Sequence, residues 1–328
     1  MNPAGVSVII PNWNGADRLR RLFQTLSVQH PIHEVIVVDN GSTDSSVMLA
    51  RDAGARVVGF TTNRGFAAAV NRGVTEAAAG WIAIINNDVE LGPGWIETLL
   101  TAATANSAVF ATGKLLNTTQ RDLIDGTYDA VSRGGTAWRC GAGRPDGPLF
   151  SIEVSIQFPP FTAVLVQKQL FSRVGPLDEQ FESYLEDIDF GFRCAKLGLR
   201  GIYVPQAVAY HQGSATLGRW HAETVRRIAR NQLLLVAKHY PEPWIGRYAW
   251  CILLAQGLWG LLAIRHGAAG AWLRGVAEGV RLFRTARNPG PPCMATVLAE
   301  SESQIRELQK ATGADLYWRI YFALTGGW

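Results

Sequence analysis

The sequence predicts an α/β fold: a mostly parallel mixed sheet flanked by helices, followed by a C-terminal helical extension. Three observations carry this. Short apolar, β-rich runs alternate with helical periods between residues 6 and 85. Asn and Asp cluster directly after those runs. The charge balance changes sign near residue 220. Alternation of this kind implies parallel strands joined by crossover helices.

The elements follow in order. Val6 to Ile10 reads as a strand ended by Pro11, Asn12 and Asn14. Leu19, Leu22, Phe23 and Leu26 give 17–28 a helical period. Glu34 to Val38 is a continuous apolar run, as expected of a strand buried on both faces, and it ends in Asp39-Asn-Gly-Ser-Thr-Asp44. A helix over 45–53, a strand over 56–60, an Ala-rich helix over 65–79 and a strand over 81–85 complete the series, which stops at Asn86-Asn87-Asp88. Residues 120–150 are Gly-rich with little periodicity and read as a long loop, which over 125–147 could serve as a lid. Strands are expected over 161–166, 200–204 and 208–211, and a helix over 185–197.

Beyond residue 220 the pattern is helical. Residues 221–240 carry an apolar stripe and end before Pro241 and Pro243. Tyr248 to Ile264 holds no charged residue and is bracketed by Arg247 and Arg265. A span needs ~20 apolar residues, so this stretch reads equally as a buried, an interfacial or a spanning helix. Residues 268–287 form a basic helix with Trp272, Val276, Val280 and Phe283 as its expected apolar stripe, and 294–309 form another helix. The chain's 328 residues admit about two domains. The expected division is 1–219, with halves of about 1–115 and 116–219, and a helical region over 220–328.

Charge and composition exclude several classes. The chain carries a net charge of +4. Residues 220–328 hold 13 basic and 7 acidic side chains, while the first 219 hold 18 and 20. A weak total and an acidic first two thirds argue against a nucleic-acid partner. A basic, apolar tail suits an anionic membrane surface better. The four cysteines form no CxxC pair, which removes zinc ribbons and thioredoxin-like redox sites and points to a reducing, cytoplasmic setting. No basic, apolar leader precedes the first strand, so a secretory signal is not expected. No GxGxxG follows that strand, which removes a Rossmann dehydrogenase.

Four strand ends carry polar clusters, Asn12/Asn14, Asp39/Asn40, Asn63/Arg64 and Asn87/Asp88, and ligands of open α/β sheets bind outside the carboxyl ends of the strands. Asp88 after a buried strand could hold a hard divalent cation together with diphosphate oxygens and water, or merely form a turn. Asp39 could accept from a base or ribose, while Asp44 caps the next helix. Glu186, Asp187 and Asp189 suit a helix N-terminus and also offer a general base. His211 is a structural imidazole or a metal ligand.

The ordered set resembles the inverting glycosyltransferases of family 2, which have the GT-A fold. The stretches that carry it are Ser7-Val-Ile-Ile-Pro-Asn-Trp-Asn14, Val37-Val-Asp-Asn-Gly-Ser-Thr-Asp44, Asn63-Arg-Gly-Phe-Ala-Ala-Ala-Val-Asn71, Ile85-Asn-Asn-Asp88, Gly175-Pro-Leu-Asp-Glu-Gln-Phe181, Tyr184-Leu-Glu-Asp-Ile-Asp-Phe-Gly-Phe-Arg193 and His211-Gln-Gly-Ser214. Within that family the pattern is most like bacterial rhamnosyltransferase-type enzymes of surface-polysaccharide assembly.

The resemblance implies roles. Pro11 and Trp13 line the base pocket, and Asp39 binds the base or ribose. Arg64, Gly65 and Asn71, with Asn86 and Asn87, belong to the nucleotide site. Asp88 and His211 hold Mg2+ or Mn2+, and Asp187 is the catalytic base. Asn86 stands where the family often has a first Asp, and Thr162 where it often has a small Gly. The implied partners are a dTDP- or UDP-linked sugar donor and a glycan or polyprenyl-linked acceptor, at the inner face of the cytoplasmic membrane. The tail then serves as a peripheral membrane contact or as the contact of a homodimer. The alternative is a catalytically silent sugar-nucleotide-binding or scaffold protein.

Overall fold

The computed structural model describes residues 5–211, 213 and 220–326. Gln212 and Ser214 of the His211 motif lie outside the described residues. The first half follows the expected alternation: β1 (Val6–Asn12), α1 (Ala16–Leu26), β2 (Ile32–Asn40), α2 (Ser46–Asp52), β3 (Arg56–Phe60), α3 (Phe66–Glu76) and β4 (Trp81–Ile85). Then come β5 (Val89–Leu91), α4 (Trp95–Ala105), β6 (Phe110–Asn117), β7 (Ile124–Gly126), β8 (Asp129–Val131), β9 (Ala137–Arg139), β10 (Val154–Ile156), β11 (Ala163–Gln167), α5 (Leu170–Arg173), α6 (Glu186–Lys196) and β12 (Gly201–His211). Five helices close the chain: α7 (Ala222–His239), α8 (Glu242–Arg265), α9 (Ala269–Ala286), α10 (Met294–Thr312) and α11 (Leu316–Thr325).

The main sheet runs β10-β12-β6-β11-β4-β1-β2-β3. Its centre is apolar on both faces. Val8, Ile9 and Ile10, Ile36 to Val38, and Ile82 to Ile85 are all buried, which is why these strands read as unbroken apolar runs. β1, β2, β3 and β4 are parallel, whereas β11 runs against both β4 and β6. β6 therefore points with β4, and β12 is parallel to β6. The carboxyl ends of β1, β2, β4, β6 and β12 and the start of β11 consequently share one edge.

Two expected strands over 200–211 are one strand, β12, whose register shifts between Val204 and Val208 around Pro205. A proline donates no ladder hydrogen bond, so the shift accommodates it.

The chain divides into two compact units: residues 1–128, 141–194 and 199–213 in one, and 129–140, 195–198 and 214–328 in the other. The 120–150 stretch is not the expected free loop. β7 pairs with β6 in the first unit. β8 and β9 form a hairpin in the second, fastened to its helices by buried bonds. There Val131 N donates to Ser301 Oγ at 2.6 Å, Gly134 N to the Tyr321 hydroxyl at 3.0 Å, and Arg133 pairs with the buried Glu302 at 2.5 Å. The Tyr240 hydroxyl donates to the Ser132 and Arg133 carbonyls at 3.1 and 3.0 Å. A hairpin held by this many buried polar bonds is a fixed element rather than a mobile lid.

Within the second unit, α9 packs through small residues. Ala271, Gly275 and Gly279 are its buried positions. A Cβ at Gly275 would meet the Arg226 carbonyl oxygen at 2.2 Å and one at Gly279 the Leu233 side chain at 2.8 Å, so α7 and α9 approach closely only because both are glycines. Val280, expected in the buried stripe, is 62% exposed.

Candidate active site

The site is built where parallel strands end. β1 and β2 pair to their last residues, setting Pro11 beside Val38 and Asn12 beside Asp39. The loops beyond them are laced together. Ser42 Oγ accepts from Asn14 N at 2.9 Å, and Asn14 Oδ1 accepts from Thr43 N at 2.8 Å. Asp44 accepts from Ala16 N at 3.1 Å and Ser46 N at 3.0 Å, so this residue ties the starts of α1 and α2 together. Burial would raise the Asp44 carboxyl, but the Ser46 hydroxyl, which also donates to it, and these backbone bonds hold it below its usual range. Asn87 Nδ2 donates to Asn12 Oδ1 at 2.7 Å, joining the end of β4 to the end of β1. Gly15 sits against this pair, and a Cβ there would lie 2.3 Å from Asn87 Nδ2.

Three buried acceptors at these ends have no hydrogen-bond partner among the described residues: Asp39 Oδ1, Asn86 Oδ1 and Asp88 Oδ1. The other Asp39 oxygen accepts from Ser42 N at 3.1 Å. Buried acceptors left this way are costly unless a ligand serves them. Trp13, directly after β1, is 38% exposed, so an indole face stands beside the same strand ends.

His211, the last residue of β12, pairs with Val89 of β5 across the ladder. Its Nε2 lies 3.4 Å from Asp88 Oδ1, an ion-pair contact without hydrogen-bond geometry. Its Nδ1 is bonded to Asp125 Oδ2 at 2.7 Å. Burial alone would lower the imidazole's pKa, but the Asp125 and Asp88 carboxylates carry it up to about 9. Burial would likewise raise the Asp88 carboxyl, yet His211 holds it below the usual range. Among the described residues no three His, Cys, Asp or Glu side chains form a complete metal cage. One carboxylate and one imidazole fit a cation whose remaining ligands come from diphosphate and water. The Nδ1 bond fits as well, because it fixes the ring and aims Nε2 at the open position.

Asp125 was absent from the sequence-based candidates. It lies in β7, within a stretch without periodicity, and its contact with His211 spans 86 residues. The available signal was the Ile124-Asp-Gly126 tripeptide, too short to stand alone.

Asp187 opens α6, where its Oδ2 accepts from Phe161 N at 3.3 Å and its Oδ1 from Ile188 N at 2.8 Å. The next carbonyl, Thr162 O, accepts from Asn86 N at 2.9 Å. Residues 161–162 thus bridge the Asp187 carboxylate and the Asn86–Asp88 turn. Asp189 is fully buried and pairs with Arg193 at 2.9 Å, a structural role. The loop before α6 holds three non-glycine residues at positive φ: Glu182, Tyr184 and Leu185 at 59°, 72° and 70°. Such conformations cost about 1–3 kcal/mol each and persist only where surroundings impose them.

The restraint comes from α3. Phe66 N donates to the Glu182 carbonyl at 3.0 Å. Gly65 has φ +88°, and a Cβ there would stand 2.7 Å from that same oxygen, so only glycine fits. Asn71 accepts from Leu177 N at 2.8 Å and donates to the Leu177 carbonyl at 2.9 Å. Both ends of its amide therefore hold the loop that leads to Asp187. Arg64 lies over the Phe60 ring at 4.9 Å and 3.6 Å from Glu179. The structure thus brings Pro11, Asp39, Asn86, Asn87, Asp88, Asp187 and His211 to one sheet edge, with Trp13 just beyond the end of β1, and places Gly65 and Asn71 where they carry the 177–187 loop.

Comparison with known proteins bears on the family and the fold. Residues 7–138 match the model of glycosyl transferase family 2. The chain is 27% identical over 284 residues to an N-acetylglucosaminyl-diphospho-decaprenol L-rhamnosyltransferase of Mycobacterium tuberculosis (strain ATCC 25618 / H37Rv), covering 79% of this chain and 92% of that protein. Among solved structures it is similar to GalNAc-T7 with UDP, GalNAc and Mn2+, with a TM-score of 0.61 at 14% identity, over 88% of this chain and 58% of that one. It is also similar to a mannosyltransferase from Pyrobaculum calidifontis in complex with GDP-Man and Mn2+, with a TM-score of 0.51 at 18% identity, over 98% and 87%. At such identities the likeness shows the fold, which is GT-A.

Asn71→Ala separates loop support from ligand contact. Losing both Leu177 bonds should lower stability in a urea titration by about 1–3 kcal/mol. Nucleotide affinity measured by calorimetry should stay within about threefold of the original, a shift of under 1 kcal/mol; a contact residue would lose far more.

Proposed function

Since the chain carries a family 2 glycosyltransferase domain and is a glycosyltransferase, we propose that it transfers a rhamnose-like sugar from a nucleoside diphosphate to a hydroxyl of a lipid-linked glycan, with inversion, in surface-polysaccharide synthesis at the cytoplasmic face of the membrane. The observation that carries this is the set of buried acceptors at adjacent strand ends: Asp39 Oδ1 and Asn86 Oδ1 without a hydrogen-bond partner among the described residues, and Asp88 Oδ1 met by His211 alone. The rhamnosyltransferase relative, named for a diphospho-decaprenol acceptor, supports the choice of donor sugar and acceptor class.

In this reading Asp39 accepts from the base or ribose of a dTDP- or UDP-linked donor, and Trp13 and Pro11 flank the base. Asp88 and His211 would hold a divalent cation, Mg2+ or Mn2+, which offsets charge on the leaving diphosphate when bound. Asp125 keeps the His211 ring in one tautomer and orientation. Asp187 accepts the proton of the acceptor hydroxyl as its oxygen attacks the anomeric carbon from the face opposite the leaving group. The bond to the diphosphate breaks in the same displacement, so the anomeric configuration inverts. The Phe161 and Ile188 N–H groups that donate to Asp187 hold the carboxylate in its orientation.

Two substitutions test these roles. Asp187→Asn should lower transfer by about two to four orders of magnitude while leaving donor binding intact. Transfer near the original rate would contradict the base assignment, and loss of both would point to a donor role. Asp125→Asn should weaken Mn2+ binding, read by the electron paramagnetic resonance of free Mn2+, by about 10- to 100-fold with an unchanged circular dichroism spectrum.

A further inference from the structure

α8 is apolar on two faces, and only one of them is used by the fold. Tyr248, Cys251, Ala255, Leu258 and Ala263 are buried within the helical unit. On the opposite side Trp250, Leu253, Leu261 and Ile264 are 56%, 68%, 63% and 56% exposed. Together with Gly246 and Gly257 these positions recur at three- and four-residue intervals, a single stripe along the helix. At Trp250 the stripe meets the end of α11, the indole Nε1 donating to the Leu324 carbonyl at 3.0 Å, and elsewhere it is open: no described atom lies within 4 Å of where a Cβ would stand at Gly246 or Gly257.

α9 continues the surface. It touches α8 where Gly260 meets Trp272, a Cβ at Gly260 falling 2.7 Å from the indole. Because α9 packs through its small residues, Leu273 and Val280 face outward, 59% and 62% exposed, beside exposed Arg274, Arg281 and Arg284. Between residues 246 and 287 there are six arginines and one carboxylate, Glu278, which is paired with Arg226. Arg265, Arg274, Arg281 and Arg284 have no ion-pair partner among the described residues.

We propose that the outward faces of α8 and α9 form a docking surface for an anionic lipid bilayer, with Trp250, Leu253, Leu261, Ile264, Leu273 and Val280 entering the acyl boundary and the arginines meeting the headgroups. The helices lie in the plane of the membrane. At ~1.5 Å per residue α8 is long enough to cross, but its other face is committed to protein contacts, whereas a lone span meets lipid all round. Apolar residues flanked by arginines on an outer helix face are the composition of an interfacial helix. A second copy of the chain fits less well. A two-fold pairing through this surface would set one protomer's arginines against the same arginines of its partner. The surface deepens the reading of a lipid-linked acceptor, yet lipid binding needs no donor and is measured apart from transfer.

The test is cosedimentation of the full-length protein with vesicles of neutral phosphatidylcholine and with vesicles containing about 30 mol % phosphatidylglycerol. The protein should pellet with the anionic vesicles and stay in solution with the neutral ones. Leu253→Glu with Leu261→Glu, both on the uncovered stripe, should abolish pelleting while keeping the original melting curve. Arg274→Gln, Arg281→Gln and Arg284→Gln together should weaken binding by about a hundredfold, at about fivefold per charge. Failure of the unaltered protein to pellet, or equal pelleting with both vesicles, overturns the proposal without touching the transfer reading. A dimer in light scattering that the Leu253/Leu261 variant dissolves, with no vesicle binding, would assign the surface to a second copy instead.

Discussion

The reversal of one strand decides where the polar residues of the site fall. β11 runs against both of its neighbours, so β6 and β12 point the same way as β1, β2 and β4. Were β11 parallel, its start would lie at the far edge, and the Phe161 N–H and Thr162 carbonyl could not face Asp187 and Asn86. With the reversal, Asn12, Asp39, Asn86 and His211, from elements up to about 200 residues apart in sequence, reach one edge. The Asn12–Asn87 bond then closes the β1 and β4 ends against each other with only a glycine between.

Much of this was legible in the sequence wherever burial leaves a pattern. β1, β2 and β4 are buried on both faces, and their unbroken apolar runs announce it. Asp39 stands out because it directly follows such a run, and Asp88 because it closes the Asn86-Asn87-Asp88 turn after another. β6 was not legible, since Gly113 and Lys114 interrupt its core, and Lys114 is buried only because Asp146 meets it at 2.7 Å. The three-residue strands β7, β8 and β9 are too short to show alternation and exist through their partners. Asp125 escaped for the same reason: its role is set by His211, distant in sequence.

The second unit teaches the converse. On α9 the hydrophobic side chains suggested the packing face, but the helix packs through Ala271, Gly275 and Gly279 and turns Leu273 and Val280 outward. Where backbones approach this closely, small residues mark the contact, while of the expected stripe Trp272 packs inward and Val280 turns outward. On α9 the exposed Arg274, Arg281 and Arg284 stand beside the exposed Leu273 and Val280, so charge and apolar character share one outer face there.

The central claim is that the strand-end acceptors await a nucleoside diphosphate sugar. Thermal unfolding measures it most directly, with dTDP- and UDP-linked sugars in the presence of Mn2+. One of these donors at about a hundred times its dissociation constant should stabilise the folded chain by about 2.7 kcal/mol, and Asp39→Ala should remove the greater part of that gain. A melting curve unmoved by any donor, or moved equally in the Asp39 variant, would contradict the account.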